Sequence, residues 1–305
     1  MSFLMDMTDV PMINILEKCD YKSVLTLRKV CHSLRNFIDE SCFKTDLDDI
    51  RITIRPAGFS VRCNSHNASW TDAGSSKDWT SNDLKIIMKM VQNSKLSRFC
   101  VKTNQDNVGG LDDLEEILKN QTRPLQTELF KMDGYEILKV LPYIDSKLLK
   151  RISINPENYE TDNQNLDEIE KVMKLEQFKN AMELNIDYCF LVRADLMKFL
   201  HFQEVIVKLH ETSLEDLVAL KEAFVTSTHM QFFELYELNL NEDQLERVFG
   251  TPYYDPRCPQ GGSKWYFGIR NCKEHVLRIE LISGIVIQFL KWEVRHIPDN
   301  AVVQY

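Results

Sequence analysis

Residues 7–39 read MTDVPMINILEKCDYKSVLTLRKVCHSLRNFID, and the spacing of their apolar side chains predicts two helices, Val10 to Cys19 and Val24 to Ile38. Asp9 is placed to cap the first, with Pro11 in the first turn where a missing N–H is harmless. Asp20 or Ser23 caps the second after a turn of a few residues. Val24, Leu27, Cys31, Leu34 and Ile38 form one stripe, widened at its flanks by Leu25, Val30 and Phe37. Val10, Met12, Ile13, Ile15, Leu16 and Cys19 spread over roughly 200° of the first helix, about twice the arc that one neighbour covers. Two short helices cannot hide that surface in each other, and units below roughly 40 residues rarely fold without a disulfide, a metal or a partner. Either the rest of the chain covers it, or a dedicated partner does.

The surroundings bound the answer. The chain has 305 residues, 44% hydrophobic and 27% charged, with 46 acidic against 37 basic side chains and a formal charge of −9. That balance, with no Lys/Arg run, argues against nucleic acid as the main partner, since a polyanion needs a concentrated basic surface. The opening MSFLMDMTDVPM has no basic n-region and is interrupted by Asp6 and Asp9, so it does not read as a secretory signal. The longest uncharged apolar run, Leu281 to Leu290, is half of the ~20 residues a membrane span needs, and Gly284 breaks it. Eight cysteines without a CxxC pair read as reduced thiols. The sequons at Asn67-Ala68-Ser69 and Asn120-Gln121-Thr122 would then stay unused. The expectation is a cytoplasmic or nuclear protein with no membrane contact.

On the residues quoted above, Met7 to Asp39 resembles an F-box and matches its general pattern without a gap. Ile15, Leu16, Asp20, Val24, Leu27, Val30 and Cys31 fall on its hydrophobic and signature positions. The spelling Leu16-Glu17-Lys18, Asp20-Tyr21-Lys22-Ser23 and Leu25-Thr26-Leu27-Arg28-Lys29-Val30-Cys31-His32 is similar to the nematode F-box A family, in which the F-box accompanies a C-terminal FTH domain. The departures are Thr8 for Pro, Val10 for an acidic residue, Pro11 for Leu, Cys19 for Leu and Leu34 for Trp. The resemblance implies docking onto a Skp-type adaptor and, through it, a cullin–RING ubiquitin ligase. It therefore favours a partner as the cover, with Val10, Pro11, Ile13, Ile15, Leu16, Val24, Leu27, Val30 and Cys31 as candidate adaptor contacts.

Beyond the helices, strand and helix patterns alternate. Asp49 to Arg55 and Phe59 to Cys63 flank the turn signature Arg55-Pro56-Ala57-Gly58, which predicts a β-hairpin. Asn64 to Asp83 is polar and reads as a loop. Asp83 caps a helix over Leu84 to Gln92, a strand follows near Phe99 to Lys102, and a helix over Leu111 to Lys119. The segment RPLQTELFKM through ILKVLPYIDSKLLKRISI resembles the FTH-domain core, with Leu141-Pro142-Tyr143-Ile144-Asp145 its most specific piece. A weak βα repeat follows, with strands Arg151 to Ile154, Met182 to Ile186, Glu204 to Leu209 and Phe232 to Leu238. Helices are expected over Leu166 to Lys179, Ala194 to Phe202, Leu214 to Thr226 and Glu242 to Phe249. Helical crossovers require parallel pairing, and one βα unit per repeat predicts a curved, leucine-rich-repeat-like stack. Lys264 to Arg270, His275 to Ile282 and Ile285 to Val294 read as a closing antiparallel β meander.

The repeat strands alternate. Ile152, Ile154, Met182, Leu184, Ile186, Val205, Val207 and Leu209 point one way, and Asn155 with its polar neighbours points the other, so helices cover one face only. Arg151, Ser153, Glu183, Asn185, Asp187, Lys208 and His210 are the candidate target-binding positions, and a plain solvated face is the competing reading. Trp265, Phe267 and Trp292 either form a binding patch or cap the end of the stack, and the cap is the commoner arrangement.

Chemistry-bearing motifs are absent: no HExxH, GxSxG, GxxxxGK[ST] or GxGxxG after a strand. Gly261-Gly262-Ser263-Lys264 lacks the upstream glycine and the following helix of a phosphate loop. Cys63 and His66 with Cys272 and His275 have the letters of a Cys₂His₂ site but not the spacing. Cys31-His32 does not read as a nucleophile, because burial on the apolar stripe would raise the thiol pKa. Adjacent acids at Asp48-Asp49, Asp112-Asp113 and Glu115-Glu116 sit where caps and helix dipoles explain them. The reading is α+β to α/β, with an F-box over 1–45 and an FTH-type βα-repeat domain over 46–305, core about 110–250. It is a non-enzymatic substrate receptor without a cofactor or metal, whose catalysis is proximity alone. The alternative is an interaction scaffold with a degenerate F-box, favoured by Thr8 and Leu34.

Overall fold

A computed structural model describes the chain apart from residues 1–6, 42, 57, 66–67, 73–79, 104–107, 156–165, 188–189, 237–239 and 256–261. The chain divides into two compact units, Met1–Asn158 with Leu175–Asn180, and Tyr159–Lys174 with Ala181–Tyr305. The sequence boundary at residue 45 falls inside the first unit, and the region 46–305 extends over both.

The first unit opens with helices α1 (Asp9–Lys18), α2 (Tyr21–Leu27) and α3 (His32–Glu40). The single helix expected over Val24 to Ile38 is thus two. Cys31 is extended (φ −154°, ψ 166°) and its Sγ accepts the N–H of Leu34 at 3.4 Å, capping α3. The break folds α3 back so that Arg28 Nε and Nη2 donate to the two carboxylate oxygens of Asp39 at 2.7 and 2.8 Å. A continuous helix would hold those residues three turns apart. Asp20 caps α2 through the N–H of Ser23 at 2.8 Å, whereas α1 starts after Thr8, with no side-chain cap.

Strands β1 (Leu47–Arg55) and β2 (Gly58–Ser65) form the expected hairpin, with Gly58 at φ 142° in its turn. The loop expected over Asn64 to Asp83 is corrected: it contains a third strand, β3 (Ala68–Asp72), paired antiparallel with β2. Polar composition hid it, because an edge strand needs only backbone partners. Helix α4 (Ser81–Val91) starts before the expected Asp83. Thr80 is its N-cap, and Asp83 is the third helical residue of a capping box. Then come β4 (Leu96–Lys102), α5 (Val108–Lys119), β5 (Thr127–Asp133), two 3₁₀ turns at Ile137–Lys139 and Leu141–Tyr143, and β6 (Arg151–Asn155). The order β3-β2-β1-β4-β5-β6 runs antiparallel through β1 and parallel from β1 to β6.

Leu141-Pro142-Tyr143-Ile144-Asp145 does structural work in this unit. Leu141 and Ile144 are buried. Ile144 bridges Leu125, and Tyr143 Oη donates to Glu115 Oε1 at 3.1 Å. The helix expected over Leu166 to Lys179 is two pieces, α6 (Leu166–Val172) and α7 (Glu176–Asn180). They separate because α7 belongs to the first unit, where Gln177 Nε2 donates to the carbonyls of Pro142 and Ile144 at 3.2 and 2.7 Å.

The second unit contains β7 (Glu183–Ile186), β8 (Leu191–Val192), a 3₁₀ turn at Leu196–Phe199 where a full helix was expected, and β9 (Glu204–Leu209). Helix α8 (Leu214–Thr226), β10 (Phe232–Tyr236), α9 (Glu242–Phe249), β11 (Ser263–Gly268), β12 (His275–Ile282), β13 (Val286–Glu293) and β14 (Val303–Gln304) complete it. Strands β7, β9 and β10 are parallel. β13 joins β10 antiparallel, and β12 and β11 follow antiparallel in turn. The unforeseen β14 adds a parallel edge to β11. Connections between parallel strands vary from a full helix to a 3₁₀ turn, so only the strand faces are regular. Met182 departs from the expected alternation: it lies before β7, where the strand's pleat does not yet set side-chain direction, and is exposed, while its carbonyl accepts the N–H groups of Gln203 and Glu204.

Candidate functional site

Two surfaces carry the sequence-predicted residues. The first is the N-terminal helix set. Met12, Leu16, Tyr21, Val24, Leu34 and Ile38 are buried and join Phe43 and Leu47 in the first unit's core. Backbone ties fix the set in place: Tyr21 N–H to Asp46 Oδ1 at 3.2 Å, Lys44 N–H to Glu17 Oε1 at 3.1 Å and Thr45 N–H to Ser94 Oγ at 2.8 Å. Between α3 and α4 a cavity of about 420 Å³ remains, lined among others by Arg28, Asp39, Phe43, Lys85 and Met90.

The nine candidate adaptor contacts are thereby sorted. Leu16 and Val24, each 1% exposed, face this chain's own interior. Ile13, Ile15 and Leu27 are half-buried. Val10 at 69%, Val30 at 65%, Pro11 and Cys31 face outward. Met7, 49% exposed, is a further outward-facing apolar side chain at the head of the motif. The burial expected for Cys31 is corrected, because the helix break turns it out to solvent as a cap. Asp20 holds its carboxyl below the usual range through the N–H and hydroxyl of Ser23, which keeps the α2 cap charged.

The second surface is the polar side of the parallel strands. Arg151 and Ser153 lie on it in the first unit. Glu183, Asn185, Asp187, Lys208 and His210 lie on that of the second, so the seven do not share one unit. Arg151 and His210 are exposed and the other five half-buried. His210 Nδ1 stands 3.5 Å from Glu211 Oε1.

In the first unit this side also holds Asp49, 4% exposed. Its Oδ2 lies 3.4 Å from Arg98 Nε, and its Oδ1 has no partner among the described residues. Burial pushes this carboxyl above its ordinary range, against the pull of Arg98. A raised folded pKa means that the protonated form suits the fold. The resulting stability is fully present below the unfolded value of about 3.8 and is lost as pH rises through the folded pKa. Asp49→Asn is expected to flatten that slope and to raise the neutral-pH melting temperature by about 2–4 °C, for roughly 1 kcal/mol of relieved burial cost. The new amide would lie beside Asn64, its partner in register, whose Oδ1 also lacks a donor. Thermal melts from pH 4 to 7 check this, and an unchanged slope refutes it.

The rejected chemistry can be placed as well. Cys63 lies buried on the core side of β2, its thiol pushed up to about 12 by burial, which disfavours a thiolate ligand. Cys272 Sγ is 3.7 Å from His275 Nδ1 in the other unit. His66, like Gly261, lies outside the described residues. Among the described residues no three His, Cys, Asp or Glu side chains group as metal ligands, and no helix is long and apolar enough to cross a membrane. Trp265 and Phe267 are buried against Phe249, so they cap the core of the second unit rather than forming a surface patch.

Comparison with protein families finds two domains in the chain. An F-box domain matches residues 4–46, and an FTH domain matches residues 109–253. No curated protein and no solved structure matches the chain significantly.

Proposed function

We propose, from the premise that this chain carries an N-terminal F-box domain and a C-terminal FTH domain, that it is the substrate-recognition subunit of a Skp–cullin–F-box type ubiquitin ligase. Both domains are of kinds that act as interaction modules rather than enzymes. The observation that carries the reading is the pair Val10 and Val30, two aliphatic side chains inside the matched F-box that remain about two-thirds exposed. The fold buries Leu16 and Val24 of the same motif, so the exposed pair is what the chain leaves for a partner. In this reading Met7, Val10, Pro11, Val30 and Cys31 meet the adaptor, with Ile13, Ile15 and Leu27 at the margin. The parallel strands act as degenerate, leucine-rich-repeat-like units ending in an antiparallel β meander, and their polar sides meet the target protein. The receptor supplies effective concentration, and a ligase-bound ubiquitin carrier does the chemistry.

The test is capture of purified Skp-type adaptor by the full chain. Val10→Asp with Val30→Asp is expected to keep the circular dichroism and melting temperature while weakening capture at least about thirtyfold, because truncating an interface anchor costs about 2 kcal/mol or more. Iodoacetamide labelling read by peptide mass spectrometry should find Cys31 reactive in the free chain and protected in the complex. Absence of capture by the unmodified chain would favour the scaffold reading.

A further inference from the structure

Between α3 and α4 the first unit keeps a cavity of about 420 Å³, within the range of about 300–1,000 Å³ in which small organic ligands are enclosed. Its lining is of two kinds. Ile38, Phe43 and Met90, all buried, and half-buried Ile86 supply the apolar part. Arg28, Asp39, Lys85 and Lys89 supply the charged part. Arg28 and Asp39 satisfy each other through two hydrogen bonds of 2.7 and 2.8 Å that use both carboxylate oxygens. Asp83, whose field reaches Arg28 after that of Asp39, is itself engaged by Thr80, whose N–H and hydroxyl donate to its Oδ2 at 3.1 and 2.8 Å. The two lysines are different. They lie one turn apart on α4 and are exposed, and neither ammonium has a hydrogen bond or ion pair among the described residues. The cavity thus combines an apolar wall, a closed ion pair and two unpaired cations.

We propose that this cavity binds a small amphiphilic anion, an apolar body carrying a single carboxylate or phosphate head. The body lies on Ile38, Phe43 and Met90, and the head meets Lys85 and Lys89. An apolar body gains by removing its own surface and that of the cavity wall from water. An anionic head gains because two like charges one helical turn apart repel, and a negative group between them relieves that repulsion. Lysine is a point charge on a flexible stem, without the planar fork of arginine, so the pair selects for charge rather than for the shape of the head. The fork of Arg28 is already occupied by Asp39. Helix α3 lies inside the matched F-box, and α4 lies between the two matched domains. A ligand touching both ties the F-box to the segment that follows it. Because it contacts only the folded arrangement, it stabilises that arrangement as its concentration rises. The proposal requires neither the adaptor contact nor the target-receptor reading.

The experiment uses the full chain without adaptor and titration calorimetry at about 0.15 M salt. The probes are octanoate, octyl phosphate, octanol and inorganic phosphate, the amphiphiles kept below their micelle-forming concentrations. Lys85→Gln with Lys89→Gln removes the head contacts. Lys119→Gln with Lys147→Gln, exposed elsewhere on the same unit, makes the same change in net charge. Ile86→Trp fills the cavity from its half-buried position in the lining. The expected result is one-to-one binding of octanoate and octyl phosphate, with octanol and inorganic phosphate each at least about tenfold weaker. The cavity lysine variant weakens both anions about tenfold or more, the control less than about threefold, and Ile86→Trp abolishes binding. Tighter binding of octyl phosphate assigns the site to phosphate esters, and tighter binding of octanoate assigns it to carboxylates. The proposal is overturned if neither anion saturates, if octanol or inorganic phosphate binds as tightly, if both lysine pairs have equal effects, or if folded Ile86→Trp still binds. Circular dichroism and melting curves of each variant separate lost binding from lost folding. Adaptor capture by the same preparations is a separate readout, so failure here leaves the receptor assignment standing.

Discussion

Leu16→Asp is expected to unfold the N-terminal helices, and any loss of adaptor capture by that variant would follow from lost folding rather than from a removed contact. Leu16 is 1% exposed and packs in a core with Met12, Val24 and Phe43 all buried. Shortening such a leucine costs about 2–5 kcal/mol, and a carboxylate placed there adds its own desolvation. Against a total stability of about 5–15 kcal/mol, the first unit's urea midpoint should fall sharply and its far-ultraviolet circular dichroism should lose helix. The Val10 and Val30 double variant is the contrast, for which lost capture with an intact melting curve is expected. If Leu16→Asp were as stable as the unmodified chain, the assignment of this residue to the interior would fail. Sequence pattern alone ranks Leu16 and Val10 together as adaptor contacts. Their burial separates them: Leu16 belongs to the interior, and Val10 is left exposed.

Trp265→Ala should be the most damaging single truncation in the second unit. The indole is fully buried, tilted against Phe249 at 5.7 Å between ring centroids, and its Nε1 donates to the Gly250 carbonyl at 2.6 Å. That bond holds the chain where it leaves α9 with Gly250 at φ 80°. Removing the ring leaves a cavity and an unpaired carbonyl, a loss of about 3–5 kcal/mol. Trp292→Ala is the control. Its ring is only half-buried and stacked by Arg278 with the guanidinium 3.8 Å from the centroid, a contact of about 0.5–2 kcal/mol. Urea denaturation followed by circular dichroism ranks the two. Equal losses would contradict the placement of Trp265 as the cap of this core.

The elements most legible in the sequence were those with strong local signals. Glu204 to Leu209 alternates so regularly that its strand bounds needed no correction, and Ser213 with Asp216 closes the capping box that opens α8. The bounds expected for α9, Glu242 to Phe249, also needed no correction, and in the structure a capping box of Asn241 and Gln244 opens it. The misreadings share a cause. The turn between α2 and α3 lies in a run whose apolar spacing satisfies one helix, yet the Arg28–Asp39 pair and the Cys31 cap make two. Strand β3 has a polar sequence and is specified by the backbone of β2. The split between α6 and α7 depends on Gln177 finding carbonyls more than thirty residues earlier in the chain. Each is a choice made by a partner distant in sequence.

By itself, the amino-acid order determined the helices and strands with strong local periodicity, which side of most parallel strands is apolar, and that the N-terminal helices carry more apolar surface than they can share. Periodicity encodes such facts, because it fixes the direction of a side chain relative to its own element. What lies on the other side of that surface was decided only by the tertiary structure. It sealed Leu16 and Val24 inside and left Val10 and Val30 outside. The reason is physical: burial and electrostatic fields are properties of pairs of elements, and no single element contains the identity of its neighbour.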